Sequence, residues 1–128
     1  MDLTPIEEEL LEHAWSFRNR AYPHKSGTKV GCAILTDLSN IYGGWNIEGL
    51  WMTSIHAEKC AITNLTELQE KILIIAVVAE TEKFTPCGDC LDWITQFATK
   101  ECVVMTQNKH REVKTYTLAE LMPNYPKN

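Results

Sequence analysis

Positive charge is scarce in this sequence: 12 Lys and Arg stand against 17 Asp and Glu, a net charge of -5. Proteins that hold nucleic acid by broad phosphate neutralisation need clustered cationic side chains, so a nucleic-acid partner is disfavoured and a small-molecule substrate favoured. Long apolar runs are missing as well. The longest, Ile72 to Ala79, falls far short of the roughly 20 residues that cross a bilayer. The start, Met1-Asp2-Leu3-Thr4, lacks a basic region leading into an apolar core. A soluble protein with no membrane partner is the expectation. Cysteine is present as an odd set of five, at 32, 60, 87, 90 and 102, with one close C-x-x-C pair. That is no disulfide framework, and it points to a reducing cytoplasm. Repeats, linkers and low-complexity segments are absent, leaving one domain over residues 1–128, with enough apolar content (45%) to bury a core.

What is present reads as alternating helices and strands. Thr4-Pro5-Ile6-Glu7 supplies a cap, a proline at the first helical position and a capping-box glutamate, and Ile6, Leu10, Ala14 and Phe17 continue at helical spacing. The stretch from Tyr22 to Gly27 is punctuated as a loop, Lys29 to Thr36 reads as a strand, and Ile41 to Glu48 as its hairpin partner. Gly43-Gly44 permits a bulge or a close backbone approach. A helix is expected from about His56 to Leu65, capped by Thr53-Ser54. Ile72 to Ala79, rich in Ile and Val, fits a strand covered on both faces, at the sheet centre. A third helix from about Cys87, a strand over Cys102 to Thr106, a last strand over Glu112 to Thr117 and a short helix boxed by Thr117 and Glu120 complete the reading. The fold class is α/β, with helices covering a central sheet.

The stretch that most needs a chemical explanation is Ser54-Ile55-His56-Ala57-Glu58-Lys59-Cys60-Ala61-Ile62, with Thr85-Pro86-Cys87-Gly88-Asp89-Cys90 as its complement. Zinc takes imidazole nitrogen and thiolate sulfur in tetrahedral geometry, and a catalytic site keeps one position open after three protein ligands. His56, Cys87 and Cys90 supply those three, and the two thiolates offset the charge of the ion. Both clusters fall at helix starts, where unpaired N–H groups favour anions. Glu58 follows His56 by two residues, about 200° around a helix, yet it reaches a water lying beside the helix end. A C-x-x-C alone also suits a structural zinc or redox module without catalysis. That reading needs a fourth ligand, and Cys60, one helical turn beyond His56, is the first to suspect; a buried apolar role is the simpler one for it, as for Cys32 and Cys102. His13 and His24 read as surface or loop residues.

Together these residues resemble the cytidine deaminase family, whose signature is a zinc-binding His-x-Glu and Pro-Cys-x-x-Cys with the glutamate as proton shuttle. Asn46-Ile47-Glu48 is similar to the family's ribose-binding Asn-x-Glu, and strand alternation would turn Asn46 and Glu48 to one face. Val30-Gly31-Cys32-Ala33 is similar to the family's first strand, and Leu121-Met122-Pro123-Asn124-Tyr125 to its C-terminal ending. The resemblance implies a three-layer α/β/α fold with a central mixed five-stranded sheet and one Zn2+ per chain. It further implies a cytosine nucleoside substrate contacted by Asn46, Glu48, Ala57 and Tyr125, Tyr125 closing a neighbouring subunit's site. A homo-oligomer follows, a tetramer before a dimer. Three departures accompany it. His56 stands where short members carry Cys, Leu91-Asp92 where Arg-Gln commonly follows the second cysteine, and Thr28 where many members have a Phe near the pyrimidine. The implied reaction is deamination of cytidine or deoxycytidine; Thr28 keeps open a modified, blasticidin S-like nucleoside, while the acidic charge weighs against a base in nucleic acid.

Overall fold

A computed structural model describes residues 2–66 and 69–125. Helix α1 (Pro5–Arg18) is followed by strands β1 (Val30–Thr36), β2 (Ile41–Trp45), β3 (Ile47–Glu48) and β4 (Ser54–Ile55). Then come α2 (Ala57–Leu65), β5 (Ile72–Ala79), α3 (Gly88–Phe97), β6 (Ala98–Gln107), β7 (Val113–Thr117) and α4 (Leu118–Leu121). The main sheet runs β2-β1-β5-β6-β7. Its pairs are antiparallel except β5 with β6, which is parallel. The mixed five-stranded sheet with β5 at its centre is therefore as expected.

Strand alternation builds the three layers. Cys32, Ile34, Ile75, Val77, Cys102 and Val104 face α2 and α3 in one core, while Ala33, Ala76, Val78 and Met105 face Leu10, Leu11 and Ala14 of α1 in the other. The register keeps like with like, since Cys32 pairs with Val77, Ala33 with Ala76 and Ile34 with Ile75. Successive side chains of β5 thus enter opposite cores, which is why its sequence is continuously apolar.

The capping boxes at Thr4/Glu7 and Thr117/Glu120 form as read from the sequence. Two expectations are corrected. The hairpin partner is not one strand over Ile41 to Glu48: it breaks at Asn46, and Ile47–Glu48 pairs instead with Ser54–Ile55. The break arises because Asn46's side chain, not only its backbone, enters the pairing, bonding to Val30 and Thr28 of the neighbouring segment. The cap of α2 is His56 rather than Thr53-Ser54, for Ser54 is drawn into that short ribbon.

Two further features fix the frame. Glu70, almost fully buried, accepts hydrogen bonds from Thr36 Oγ1 (2.6 Å), Asn40 Nδ2 (2.8 Å) and the Tyr42 hydroxyl, tying the β1–β2 turn to the approach to β5. The Thr36 and Tyr42 hydroxyls hold its carboxyl below the ordinary range, and Glu70 in return raises the Tyr42 phenol. At Gly44, a Cβ would lie 2.3 Å from the carbonyl oxygen of Ala57 and 2.3 Å from the nitrogen of Ala61. The first turn of α2 rests directly on the backbone of β2, which only glycine allows.

Candidate active site

The two helices on one face of the sheet begin at one place. His56 caps α2 in an extended conformation (φ -80°, ψ 156°) and Cys87 caps α3 in the same way (φ -71°, ψ 165°). Because His56 lies outside the helix, the angular separation from Glu58 that a continuous helix would impose does not apply. His56 Nδ1 lies 3.3 Å from Cys90 Sγ and 3.4 Å from Cys87 Sγ, and the Cys90 backbone N–H is directed at Cys87 Sγ with N and S 3.5 Å apart. The three ligand atoms all fall within 4.8 Å of one another.

This donor set fits zinc. Bonds of about 2.3 Å to sulfur and 2.0–2.1 Å to nitrogen, at tetrahedral angles, place S and N about 3.5 Å apart, close to both observed separations. The charges agree: burial, then the Glu58 carboxylate, push the Cys90 thiol up, a balance that a divalent cation between the sulfurs reverses. Among the described residues Cys60 stands outside the cluster. It is half-buried, more exposed than the core role expected for it, whereas Cys32 and Cys102 are buried in their strands. All five cysteines are free.

Glu58, in the first turn of α2, is 5% exposed. Burial raises its carboxyl, opposed by its own backbone N–H, His56 and the Cys90 side chain, and a carboxyl moved towards neutrality is suited to exchanging protons. It lines a cavity of about 340 Å³, within the range of roughly 300–1,000 Å³ typical of small-molecule sites. His56, Ala57, Cys87, Asn46 and Glu48 share that lining, so the structure brings together all but one of the sequence-derived contact residues. The exception is Tyr125, whose hydroxyl donates to Asp92 Oδ1 on α3 beside a different hollow. Asn46, at the strand break, and Glu48, just after it, both line the cavity; the Ser26 N–H and side chain and the Lys25 N–H hold the Glu48 carboxyl below its ordinary range.

Sequence reasoning gave no site role to Ser26, Val77, Thr81 and Phe84, which also line the cavity, as do Thr28, Val30, Ser54, Ala79, Thr85 and Pro86. For Phe84 a signal existed, since the residue precedes Thr85-Pro86-Cys87 in the chain and so lies close to the candidate ligand set. It also missed the clamp between the helices. Lys59 Nζ forms an ion pair with Asp89 Oδ2 at 2.5 Å and lies 4.8 Å from the centre of the Trp93 ring.

Residues 5–106 match the family described as "Cytidine and deoxycytidylate deaminase zinc-binding region". The chain belongs to this deaminase family. It is 30% identical over 119 residues to a cytidine deaminase of Sporosarcina psychrophila, an alignment covering 91% of this chain and 88% of the relative. A cytidine deaminase of Mycoplasma pneumoniae is 30% identical over 127 residues, covering 95% and 92% of the two chains. Among solved structures, the cytidine deaminase from Burkholderia pseudomallei superposes with a TM-score of 0.88 at 26% identity, covering 97% of this chain and all of that one. The protein is accordingly a deaminase, a hydrolase with the fold of its family. No helix among the described residues is long and apolar enough to cross a membrane.

Proposed function

We propose that this deaminase hydrolyses cytidine and deoxycytidine to the corresponding uracil nucleosides and ammonia, with zinc held by His56, Cys87 and Cys90. The observation that carries the proposal is the buried Glu58 carboxylate beside that ligand set, in a cavity that also contains Asn46 and Glu48. Zinc bound there supplies the means to ionise a water near neutral pH.

Glu58 takes a proton from the attacking water and passes it to ring N3 as the water oxygen bonds to C4. The same carboxylate then moves the hydroxyl proton of the adduct to the exocyclic amine. The C4–N bond breaks, ammonia leaves, and the oxygen remains as the uracil carbonyl. Backbone groups of Ala57 orient the base edge, and Asn46 and Glu48 hold the sugar hydroxyls; Glu48 accepts both loop N–H groups at Oε1, keeping Oε2 for the ligand.

The test is ammonia release from a panel of cytidine, deoxycytidine, free cytosine, blasticidin S and single-stranded oligonucleotides. Turnover of the two nucleosides well above the rest is expected, and free cytosine used as well as cytidine would remove the sugar-binding roles. A second reading, a modified cytosine nucleoside, draws on the short side chains of Ser26 and Thr28 in the wall, which leave room for a larger group; preferential use of blasticidin S would establish it.

The enzyme is read as a cytoplasmic homo-oligomer, a tetramer before a dimer, with Tyr125 contributing to a neighbouring site. Supporting this, Leu50, Trp51 and Met52 form an apolar loop 76–94% exposed in the single chain, a patch of the kind that marks an interface. Light scattering is expected to give a multiple of the 14.6 kDa chain mass; a fully active monomer would contradict it.

A further inference from the structure

We propose that Glu48, with Asn46 beside it, is a positioning residue that builds one wall of the substrate pocket by pinning the segment from Tyr22 to Val30. The inference rests on the nucleoside deaminase reading above and adds to the sugar contact a second task for the same carboxylate.

Glu48 Oε1 accepts the backbone N–H of Lys25 at 2.8 Å and of Ser26 at 2.9 Å. Asn46 works on the next stretch in both directions, its Oδ1 accepting the Val30 N–H at 2.8 Å and its Nδ2 donating to the Thr28 carbonyl at 2.9 Å. The main chains join as well, with Tyr22 N–H donating to Asn46 O and Glu48 N–H to Tyr22 O, both at 2.9 Å. The remaining contacts are fewer at its tip: the Gly27 N–H donates to the Pro23 carbonyl at 2.8 Å and the Thr28 N–H to Ser26 Oγ at 3.1 Å within the turn. His24 Nδ1 lies 3.2 Å from Glu48 O, Lys25 Nζ lies 6.0 Å from the centre of the Trp51 ring, and Arg18 Nε donates to the Lys29 carbonyl at 3.2 Å. His24, Lys25, Ser26, Gly27 and Thr28 are exposed, Tyr22 is 65% exposed, and Gly27 turns the chain in the left-handed region at φ +75°. A turn with so little apolar burial takes its position from its hydrogen bonds. Yet Ser26, Thr28 and Val30 line the same cavity as His56 and Glu58. Whatever holds them in place shapes the pocket for the whole nucleoside and not for its sugar alone.

The two tasks separate on a nucleoside that lacks the hydroxyls. Glu48→Ala and Glu48→Gln are compared with wild type on cytidine and on 2′,3′-dideoxycytidine, the latter as substrate or as competitive inhibitor. Because Glu48→Ala removes the acceptor of both loop N–H groups, it is expected to weaken use of both compounds about tenfold, mainly in KM or Ki. Glu48→Gln keeps an oxygen that can accept both N–H groups and is expected to recover most of the dideoxycytidine affinity.

Limited trypsin digestion gives an independent readout at the exposed Lys25–Ser26 bond. Cleavage there, identified by mass spectrometry in protein of unchanged zinc content, is expected to quicken in Glu48→Ala and stay near the wild-type rate in Glu48→Gln. A loss confined to cytidine, or cleavage unchanged in Glu48→Ala, overturns the proposal. A wild-type protein that deaminates no cytosine nucleoside would instead remove the proposed function, and the trypsin comparison would still decide what Glu48 holds.

Discussion

Glu58→Gln is expected to lower kcat for deamination of a cytosine nucleoside by about 10²- to 10⁴-fold, the usual worth of a positioned acid–base group, while zinc stays at one per chain. The amide preserves volume and much of the hydrogen bonding in a position only 5% exposed, so the first turn of α2 is not left with a void. What it cannot do is carry a proton from water to ring nitrogen and then to the amine. Glu58→Ala should show the same loss of kcat with an added fall in stability, because a buried side chain is removed outright. Metal analysis and ammonia release together check this, and a Glu58→Gln enzyme with near wild-type kcat would remove the carboxylate from the mechanism.

Cys90→Ser is expected to abolish both zinc retention and turnover. Changing a group that merely supports a metal ligand costs about 10–100-fold in metal affinity or activity, and removal of a direct ligand from a three-ligand set exceeds that. Cys60→Ser is the control: a half-buried thiol outside the ligand cluster should leave zinc and kcat within about twofold of wild type, as surface changes generally do. Dialysis against a chelator followed by metal analysis separates the two variants. Zinc lost on changing Cys60 and kept on changing Cys90 would redraw the site as one built on the other cysteine.

The cluster of His56, Cys87 and Cys90, a group able to hold a metal ion, was legible in the sequence because its chemistry is local: His56 and the Cys87/Cys90 pair each sit at a helix start, and only one thiol pair has the spacing of a single turn. The sheet centre was legible for a similar reason, since a strand buried on both faces leaves no room for polar residues between Ile72 and Ala79. The strand break at Asn46 was not. Alternation predicts which way side chains point and is blind to an amide that takes over backbone pairing, here with Val30 and Thr28. Nor could spacing place Ser26 and Glu58 in the wall of one cavity, or Lys59 against Asp89; both depend on how elements far apart in the chain are brought together. The Tyr125 contact with Asp92 is of the same kind.

The backbone contact at Gly44 carries a consequence for how this catalyst tolerates change. Side-chain cores relax when a residue is enlarged or trimmed, and the elements resting on them drift by fractions of an ångström. The start of α2 is seated differently, main chain on main chain, as a shaft is seated against a fixed shoulder. Substitutions in the apolar layer beneath Ile62 or Leu65 can therefore alter stability while Glu58 keeps its distance from the sulfurs. Divergence of the core and constancy of the chemistry become separable, with one hydrogen atom in place of a side chain as the condition.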